Sequence, residues 1–484
     1  MNRELTKEII TRELDKNKEA LLRDLAQLLK IRSVREDALQ SNGEVFPFGE
    51  GVHQALLFMG EIAKREGFSF YDLDHYGGHI DFDDTMDETM GVLLHLDVVP
   101  EGSDWSHNPY GGEIEDGKIY GRGALDNKGP TIAAFYALKI LKDLGYKPVK
   151  GIRLILGLDE ETGWSGMDYY LSKETPPDFG FTPDAEFPVI RGEKGILTFD
   201  VVKKLSKTVG LERGLELRSL KGGQAANMVA DSARGLLYHK DSTYYVYLKE
   251  KIADYNDCNK EKIKHRLCGK SMEITATGVS AHGARPESGL NAISVIMDFL
   301  STLTFAEDDV NDFIQFYQKH VGFDLTGKLL GVDFSDKESG ALVLNIGKTN
   351  INSKEARVTM NVRYPVTLNE ETFYETLMNT LSLYDFGIVK TMIQKPIYFS
   401  EDNPLVQKLM SIYKEHTGDL DSKAIVIGGG TYARAMNNFV AFGPAFPDDE
   451  EIAHQKDEYI DIEKLMKAGA IYAHAIYELT KECS

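Results

Sequence analysis

GVLLHLDVVPEG (91–102) is an apolar run of the kind that forms a buried strand, yet it carries His95 and Asp97 two positions apart just before it ends. In an extended chain, positions i and i+2 point to the same face, so the imidazole and the carboxylate stand side by side. Taken alone, a hydrogen-bonded polar pair at a strand end accounts for them. The pattern downstream changes the weight of that reading. TIAAFYALKILKDL (131–144), IRLILGLD (152–159) and WSGMDYYLSK (164–173) continue an alternation of short apolar strands and helices up to about residue 190. Such alternation predicts an α/β sheet, partly parallel and covered by helices. Ligands of open α/β sheets bind at the carboxyl ends of the strands, so polar residues there become candidates.

Outward from this core, the opening helix spans roughly residues 4–31 and spaces Leu14, Leu21, Leu22, Leu25, Leu28 and Leu29 on one face. ETPPDFGFTPDAEFP (174–188) punctuates the chain, and a different texture follows. Residues 191–395 contain alternating stretches read as strands, YYVYLKE (244–250), MEITATGVSAHG (272–283) and EARVTMNVRYP (355–365). Helices are expected at NAISVIMDFLSTL (291–303) and ETFYETLMNTLSL (371–383). This is the texture of an α+β domain inserted into the first. After QKPIYFSEDNP (394–404), the stretches LVQKLMSIYKEH, AIVIGGG and IEKLMKAGAIYAHAIYEL resume the helix–strand–helix pattern. The expected organisation is an α/β domain with a mixed sheet, built from 1–190 and 396–484, with an α+β insertion over 191–395.

A balance of 55 basic to 76 acidic residues among 484 argues against nucleic acid or an anionic membrane surface as partner, since both attract positive fields. No stretch approaches the roughly 20 apolar residues needed to cross a bilayer, and the amino-terminal sequence MNRELTKEIITRELDKNKEALLRDL is charged throughout. A cytoplasmic protein is expected. Cys258, Cys268 and Cys483 lack metal-site spacing and form no even framework, which fits a reducing compartment.

Further polar groups sit at the ends of the α/β elements. GRGALDNKG (121–129) places Asp126 in a glycine-bounded turn before a helix, where an N-cap is the plain reading. GLDEETG ends a strand in Asp159, Glu160 and Glu161, three adjacent carboxylates that repel unless a cation or several donors compensate. TPDAEFP sets Asp184 between proline-bounded turns, as an Asx-turn would. FPDDEEIAHQKDEYI (446–460) carries His454 in a polar loop. Together they make two histidines and several carboxylates without a thiolate, the ligand set of zinc, manganese or cobalt. A carboxylate shared by two such ions makes a two-metal hydrolase site. GGGTYAR (428–434) lacks the lysine and spacing of a P-loop, which sets nucleotide binding aside. Following AIVI and opening a helix, its N–H groups form a natural carboxylate cradle.

The ordered set HLDVVP, GRGALDNKG, GLDEETG, TPDAEFP, SAHGARPESG, GGGTYAR and a late loop histidine resembles the M20 metallopeptidase family. Its wording is similar to the long bacterial dipeptidase branch of that family, the PepV or Xaa-His dipeptidases (carnosinase-like), over about residues 10–480. The resemblance implies a zinc-peptidase-like α/β catalytic domain with an inserted α+β lid domain. It also implies two divalent metal ions per chain, zinc first, with manganese or cobalt as alternatives. His95, Asp126 and Asp184 would hold one ion, and Asp126, Glu161 and His454 the other. Asp97 would accept a hydrogen bond from His95 and fix its tautomer. Glu160 would be the general base, and His282 would polarise the scissile carbonyl. Asn227 would aim at the same centre. In EARVTMNVRYP, alternation puts Arg357, Thr359, Asn361 and Arg363 on one strand face; Arg363 matches the family arginine that clamps a substrate carboxylate. Gly428 to Thr431 would face the same end of the substrate.

The implied activity is hydrolysis of dipeptides with a free amino terminus, β-Ala-His among them, by a monomer whose only partners are small peptides. An M20 deacylase acting on N-acyl amino acids uses the same metal centre and is the alternative within the enzymes. A catalytically inactive binding protein on the same fold is the alternative outside them; the presence of every expected ligand and of Glu160 speaks against it.

Overall fold

The computed structural model describes residues 4–41, 44–83, 86–206 and 214–482. The chain divides into two compact units. The first comprises Met1–Arg191, Phe399–Ile425 and Gly430–Ser484, and the second Gly192–Tyr398 with Val426–Gly429.

The first unit is built on a mixed sheet. Neighbouring strands in it run Phe439–Ala441, Phe179–Thr182, Thr89–His95, Gly151–Gly157, Gly77–Asp83 and Ser69–Asp72, the last at an edge. The first four are mutually parallel and the last two antiparallel. Thr89–His95 is buried on both faces from Met90 onward, which explains its continuous apolar run where a half-exposed strand would alternate. The helices Lys7–Leu29, Lys128–Asp143 and Ile462–Thr480 pack on one another. Lys128–Asp143 buries almost its whole circumference, and its Ala133, Ala134 and Ala137 let the neighbours approach closely. Cooperative burial of this kind is what holds such helices, more than their propensity.

The second unit is an eight-stranded antiparallel sheet. Its order is Ile263–Cys268, Ser271–Thr277, Ser232–Tyr238, Glu216–Gly222, Val343–Ile351, Glu355–Tyr364, Gly195–Lys204 and Gly387–Gln394. The helices Tyr244–Cys258, Ala292–Leu300, Asp308–His320 and Glu370–Leu381 contribute to its core. The stretch YYVYLKE, expected as a strand, is the start of the helix Tyr244–Cys258. Its aromatic and β-branched residues mimic a strand locally. The longer spacing Tyr245, Leu248, Ile252, Tyr255 is helical, and those four residues are the buried ones.

No helix among the described residues is long and apolar enough to cross a membrane. Cys258 and Cys268 are exposed free thiols; Cys483 lies outside the described residues.

The fold carries an acid-sensitive point in the first unit. His79, on the strand Gly77–Asp83, is 1% exposed, with Nδ1 3.2 Å from the Tyr170 hydroxyl. Burial first, and then the Arg153 guanidinium, push its pKa from 6.5 down to about 3. It stays neutral in the folded protein while the unfolded chain takes up a proton. The stabilisation is therefore complete above about pH 6.5 and is lost progressively as pH falls toward 3, reaching about 2 kcal/mol by pH 5. His79→Gln, which does not titrate, should lose less stability than the parent between pH 7 and pH 5 by about that amount. Urea unfolding at the two pH values measures it; equal losses would contradict the assignment.

Candidate metal centre

Three parallel strands place the first groups. Phe179–Thr182, Thr89–His95 and Gly151–Gly157 lie side by side, with His95 in register with Gly157. Their carboxyl ends therefore open at one edge of the sheet, and Asp97, Glu160, Glu161 and Asp184 follow within a few residues. Asp126 precedes the helix Lys128–Asp143. His454 arrives through a different device: the strand Tyr459–Asp461 pairs with Lys118–Tyr120, which carries the late loop to the turn containing Asp126.

The side chains converge around Asp126. His95 Nε2 is 2.9 Å from Asp126 Oδ1 and 3.2 Å from Asp184 Oδ1. His454 Nε2 is 3.0 Å from Asp126 Oδ2 and 3.1 Å from Glu161 Oε1. The two oxygens of one carboxylate thus face two imidazoles. Ligand atoms of His95, Glu160 and Asp184 also lie within 4.8 Å of one another.

The tautomer follows from the opposite nitrogen of His95. Nδ1 is 3.0 Å from the Asp97 backbone carbonyl, an obligate acceptor, so Nδ1 carries the hydrogen. Nε2 then faces two carboxylate oxygens; although burial opposes it, the hydrogen bonds to Asp126 and Asp184 raise the ring well above the usual imidazole range, so without a metal a proton bridges this gap, and a metal ion would take its place on the Nε2 lone pair. A lone pair and two anionic oxygens at this separation repel unless a proton or a cation lies among them. Nitrogen and oxygen donors about 3 Å apart suit a first-row divalent ion with bonds of about 2.0–2.2 Å. The residues therefore fit a metal.

The electrostatics agree. Burial pushes Glu160 well above the usual carboxylate range, with Asp184 adding to it, and burial raises Glu161 and Asp184 as well. Burial opposes ionisation of Asp126 too, but the hydrogen bonds of His454 and His95 outweigh it and hold that carboxyl low. Asp126 and Glu161 in turn raise His454 to about 11. Without a metal, protons shared among these carboxyls and imidazoles meet the cost of burial; a divalent ion would displace them and keep the carboxylates ionised.

Asp97 has a different arrangement from the expected one. The nearest acceptor for His95 is its backbone carbonyl, with its carboxylate at 3.5 Å. That carboxylate accepts the N–H groups of Glu160 and Glu161, each at 3.1 Å, and so anchors the acidic turn. Asp159, the first of the three adjacent acids, is spent inside the turn on Ser165 N–H and hydroxyl and pairs with Arg35.

Three positioning groups escaped sequence reasoning. Glu458 is fully buried; its Oε1 accepts the N–H groups of Leu125 and Asp126 at 2.9 and 3.1 Å, and Arg122 Nη1 donates to its Oε2 at 2.6 Å. Arg122 also reaches the His454 carbonyl at 3.4 Å, so this buried pair ties the Asp126 turn to the His454 loop. Asn127 Nδ2 donates to Pro183 O and lies 3.3 Å from Asp184 Oδ1. Glu458 had no distinguishing mark among the acids around it, whereas an arginine between two glycines beside Asp126 offered a faint signal.

GGGTYAR opens a single 3-10 turn, Tyr432–Ala435, where a full helix was expected. Thr431 Oγ1 accepts the Ala433 N–H as its cap, and the Tyr432 N–H donates to Asp184 Oδ2 at 3.1 Å. A turn this short has little dipole to offer an anion.

The other expected residues belong to the second unit. His282 lies in the loop after Ser271–Thr277, five residues beyond the strand. A bridge joins it to Met228, and Gly283 N–H donates to the Asn227 carbonyl at 2.7 Å, so Asn227 and His282 sit on adjoining backbone. A Cβ at Gly283 would stand 2.8 Å from that carbonyl, which is why the position is glycine. Gly428 packs beside Ala284 in the same loop. Arg363 lies near the end of the strand Glu355–Tyr364, flanked by Ile196 and Val343, and so is interior to the sheet.

Comparison with known proteins gives these groups a family. Residues 91–478 match the model of peptidase family M20/M25/M40. A Staphylococcus haemolyticus protein, provisionally named a dipeptidase, is 38% identical over 469 residues, covering 96% of this chain and 97% of its own. A Bacillus subtilis protein, also provisionally named a dipeptidase, is 38% identical over 475 residues, 97% of this chain and 99% of its own. Among solved structures the fold is similar to human carnosine dipeptidase 1, with TM-score 0.54 and 15% identity over 98% of this chain and 99% of that one. It is similar also to aminoacylhistidine dipeptidase of Vibrio alginolyticus, with TM-score 0.53 and 14% identity over 96% and 97%. With most of its length matched by the family model and near-complete relatives above 30% identity, the chain belongs to peptidase family M20/M25/M40.

Proposed function

We propose that the protein is a two-metal dipeptidase that hydrolyses the peptide bond of dipeptides with free termini. The observation that carries this reading is Asp126, whose two oxygens face two imidazoles, with Glu160 alongside. The full-length similarity to relatives provisionally named dipeptidases supports the substrate class. His95, Asp126 and Asp184 would hold one ion, and Asp126, Glu161 and His454 the second. Two divalent ions, when bound, supply Lewis acidity and make water acidic enough to ionise near neutral pH.

The chain's own groups do the rest. Glu160 takes a proton at its carboxylate from the attacking water and delivers it to the leaving amine nitrogen as the C–N bond breaks. Asp97 holds the Glu160 backbone, and Glu458 holds that of Asp126, so both carboxylates are oriented before substrate arrives. His282 and Asn227 act on the carbonyl side of the substrate, and Arg363 pairs with the terminal carboxylate in bidentate fashion. Recognition of that carboxylate one residue past the scissile bond is what restricts the substrate to a dipeptide.

The test is kinetic. Ala-Ala should be cleaved, and its C-terminal amide should show kcat/KM lower by about 10- to 100-fold, the range of a lost charge-assisted contact. Arg363→Ala acting on free Ala-Ala should lose a similar factor, and the amide should fare no worse with the variant than with the parent. Multiplying losses would mean that the arginine and the carboxylate do not meet. Faster cleavage of N-acetyl amino acids than of dipeptides would reject the dipeptidase reading itself.

A further inference from the structure

A second group of imidazoles and carboxylate stands in the first unit, sharing no residue with the centre above. His53 lies in the first turn of the helix Glu50–Arg65, Asp72 ends the strand Ser69–Asp72, and His75 sits in the turn leading to Gly77–Asp83. These are the outer strands of the sheet, three places from Thr89–His95, on the order of 14 Å away by strand spacing. His53 is 6% exposed, yet its Nδ1 has no hydrogen-bond partner among the described residues. Buried polar atoms are rarely left so. The orphaned nitrogen faces Asp72 Oδ2 at 3.9 Å, too far for a hydrogen bond. The same oxygen is 3.0 Å from His75 Nδ1.

We propose that His53, Asp72 and His75 form a third metal site, which takes a zinc-class divalent ion through two imidazole nitrogens and one carboxylate oxygen. The three donor atoms lie within 4.8 Å of one another. The separations of 3.0 and 3.9 Å bracket the roughly 3.3 Å edge of a tetrahedron with bonds near 2.0 Å. The carboxylate is already oriented, since its other oxygen accepts the His75 N–H at 2.8 Å. Asp74 and His75 both have left-handed backbone, φ 51° and 65°, a conformation uncommon outside glycine that turns the His75 ring back toward Asp72. The two imidazoles are 4.1 Å apart between centroids, and the Phe46 ring packs on both, at 4.9 and 5.3 Å. Phe46 closes one side with an apolar wall. On the other, the Asp72 and His75 side chains are about one-fifth exposed, which leaves an entry path and room for a water ligand.

The donor set selects the metal. Two imidazoles with one carboxylate suit zinc, cobalt, nickel or copper, whereas magnesium and calcium take oxygen shells. Burial, with His75 next, pushes His53 below the ordinary imidazole range, so its nitrogen lone pair is available at neutral pH. Binding at His75 Nδ1 requires the tautomer that carries its hydrogen on Nε2, so the contact between Nδ1 and Asp72 Oδ2 gives way to two bonds to the ion. An ion here would fasten the first turn of one helix to the tip of the edge hairpin.

Zinc itself is the probe. The holoenzyme, Asp72→Asn and His75→Asn are dialysed against zinc buffered at about 10 µM free ion, a level at which a three-ligand protein site fills if its affinity is micromolar or better. Asparagine keeps the acceptor for the His75 N–H in the first variant and tolerates positive φ in the second. The parent should retain one zinc more per chain than either variant and show a zinc-dependent rise in melting temperature that both variants lack. Dipeptide hydrolysis by the variants should equal that of the parent, which separates this site from the proposed catalytic one. Equal zinc content and equal melting shifts in all three proteins would overturn the proposal.

Discussion

Glu160→Gln should leave the metal content of the protein unchanged and lower kcat by about 10³-fold, the middle of the range for loss of a general acid–base group. The substitution is nearly isosteric. The Glu160 backbone is held at both ends, its N–H by Asp97 and its carbonyl by the Trp164 indole at 2.7 Å, so the altered side chain occupies the same place. What is lost is the capacity to carry a proton. Burial and the neighbouring Asp184 already favour protonation of this carboxyl over that of an ordinary glutamate, which suits a group that must take up a proton and give it back. The rival assignment is concrete, because Glu160 shares a donor cluster with His95 and Asp184 and could be a ligand there. Metal analysis beside single-turnover kinetics separates the two: metal lost together with activity would make Glu160 a ligand and remove it as the base.

Asp126→Ala should abolish turnover by a different route, by emptying the proposed centre. Asp126 supplies Oδ1 toward His95 and Oδ2 toward His454, so under the proposed two-ion arrangement its removal would take one ligand from each ion. Metal per chain should fall from two to near zero at the centre, with hydrolysis dropping below about 10⁻³ of the parent. Asp184→Asn is the control, since Asp184 approaches only the His95 side and its loss should spare the ion held by Glu161 and His454. Retention of one ion by Asp126→Ala would show that the carboxylate is not shared. The Arg122–Glu458 pair gives a structural reason to expect selectivity here: it fixes the backbone of the Asp126 turn through the N–H groups, which alanine keeps.

Much of this arrangement was legible in the sequence because it is local. The strand Thr89–His95 announces itself as an apolar run that a half-exposed strand would not tolerate, and the helix Lys7–Leu29 by leucines at helical spacing. Polar residues at strand ends stood out against that background, which is why His95, Glu161 and Asp184 could be picked before any contact was known. YYVYLKE misled for the converse reason. Four aromatic or β-branched residues in a row carry a strand signal, and only the following turns reveal that Tyr245, Leu248, Ile252 and Tyr255 face one core. The GGGTYAR segment misled in length, its glycines permitting a tight turn where a helix start was read.

What the sequence determined by itself, then, is most of the elements around the candidate centre, the family resemblance and the candidate donors by residue type, since each rests on spacing within a few turns or on residue type. Only the tertiary structure decided which oxygen faces which nitrogen. Asp126 N–H and Glu458 Oε1 meet across 332 positions of chain, through the pairing of Tyr459–Asp461 with Lys118–Tyr120, and no local pattern marks Glu458 apart from its acidic neighbours. The same holds for His53, Asp72 and His75, two of them three residues apart and the third from another element, whose donors converge because a helix start, a strand end and a left-handed turn are packed together. Periodicity encodes which face of an element is buried. The partner that fills that face is set by sheet register and loop closure, which are properties of the whole folded chain.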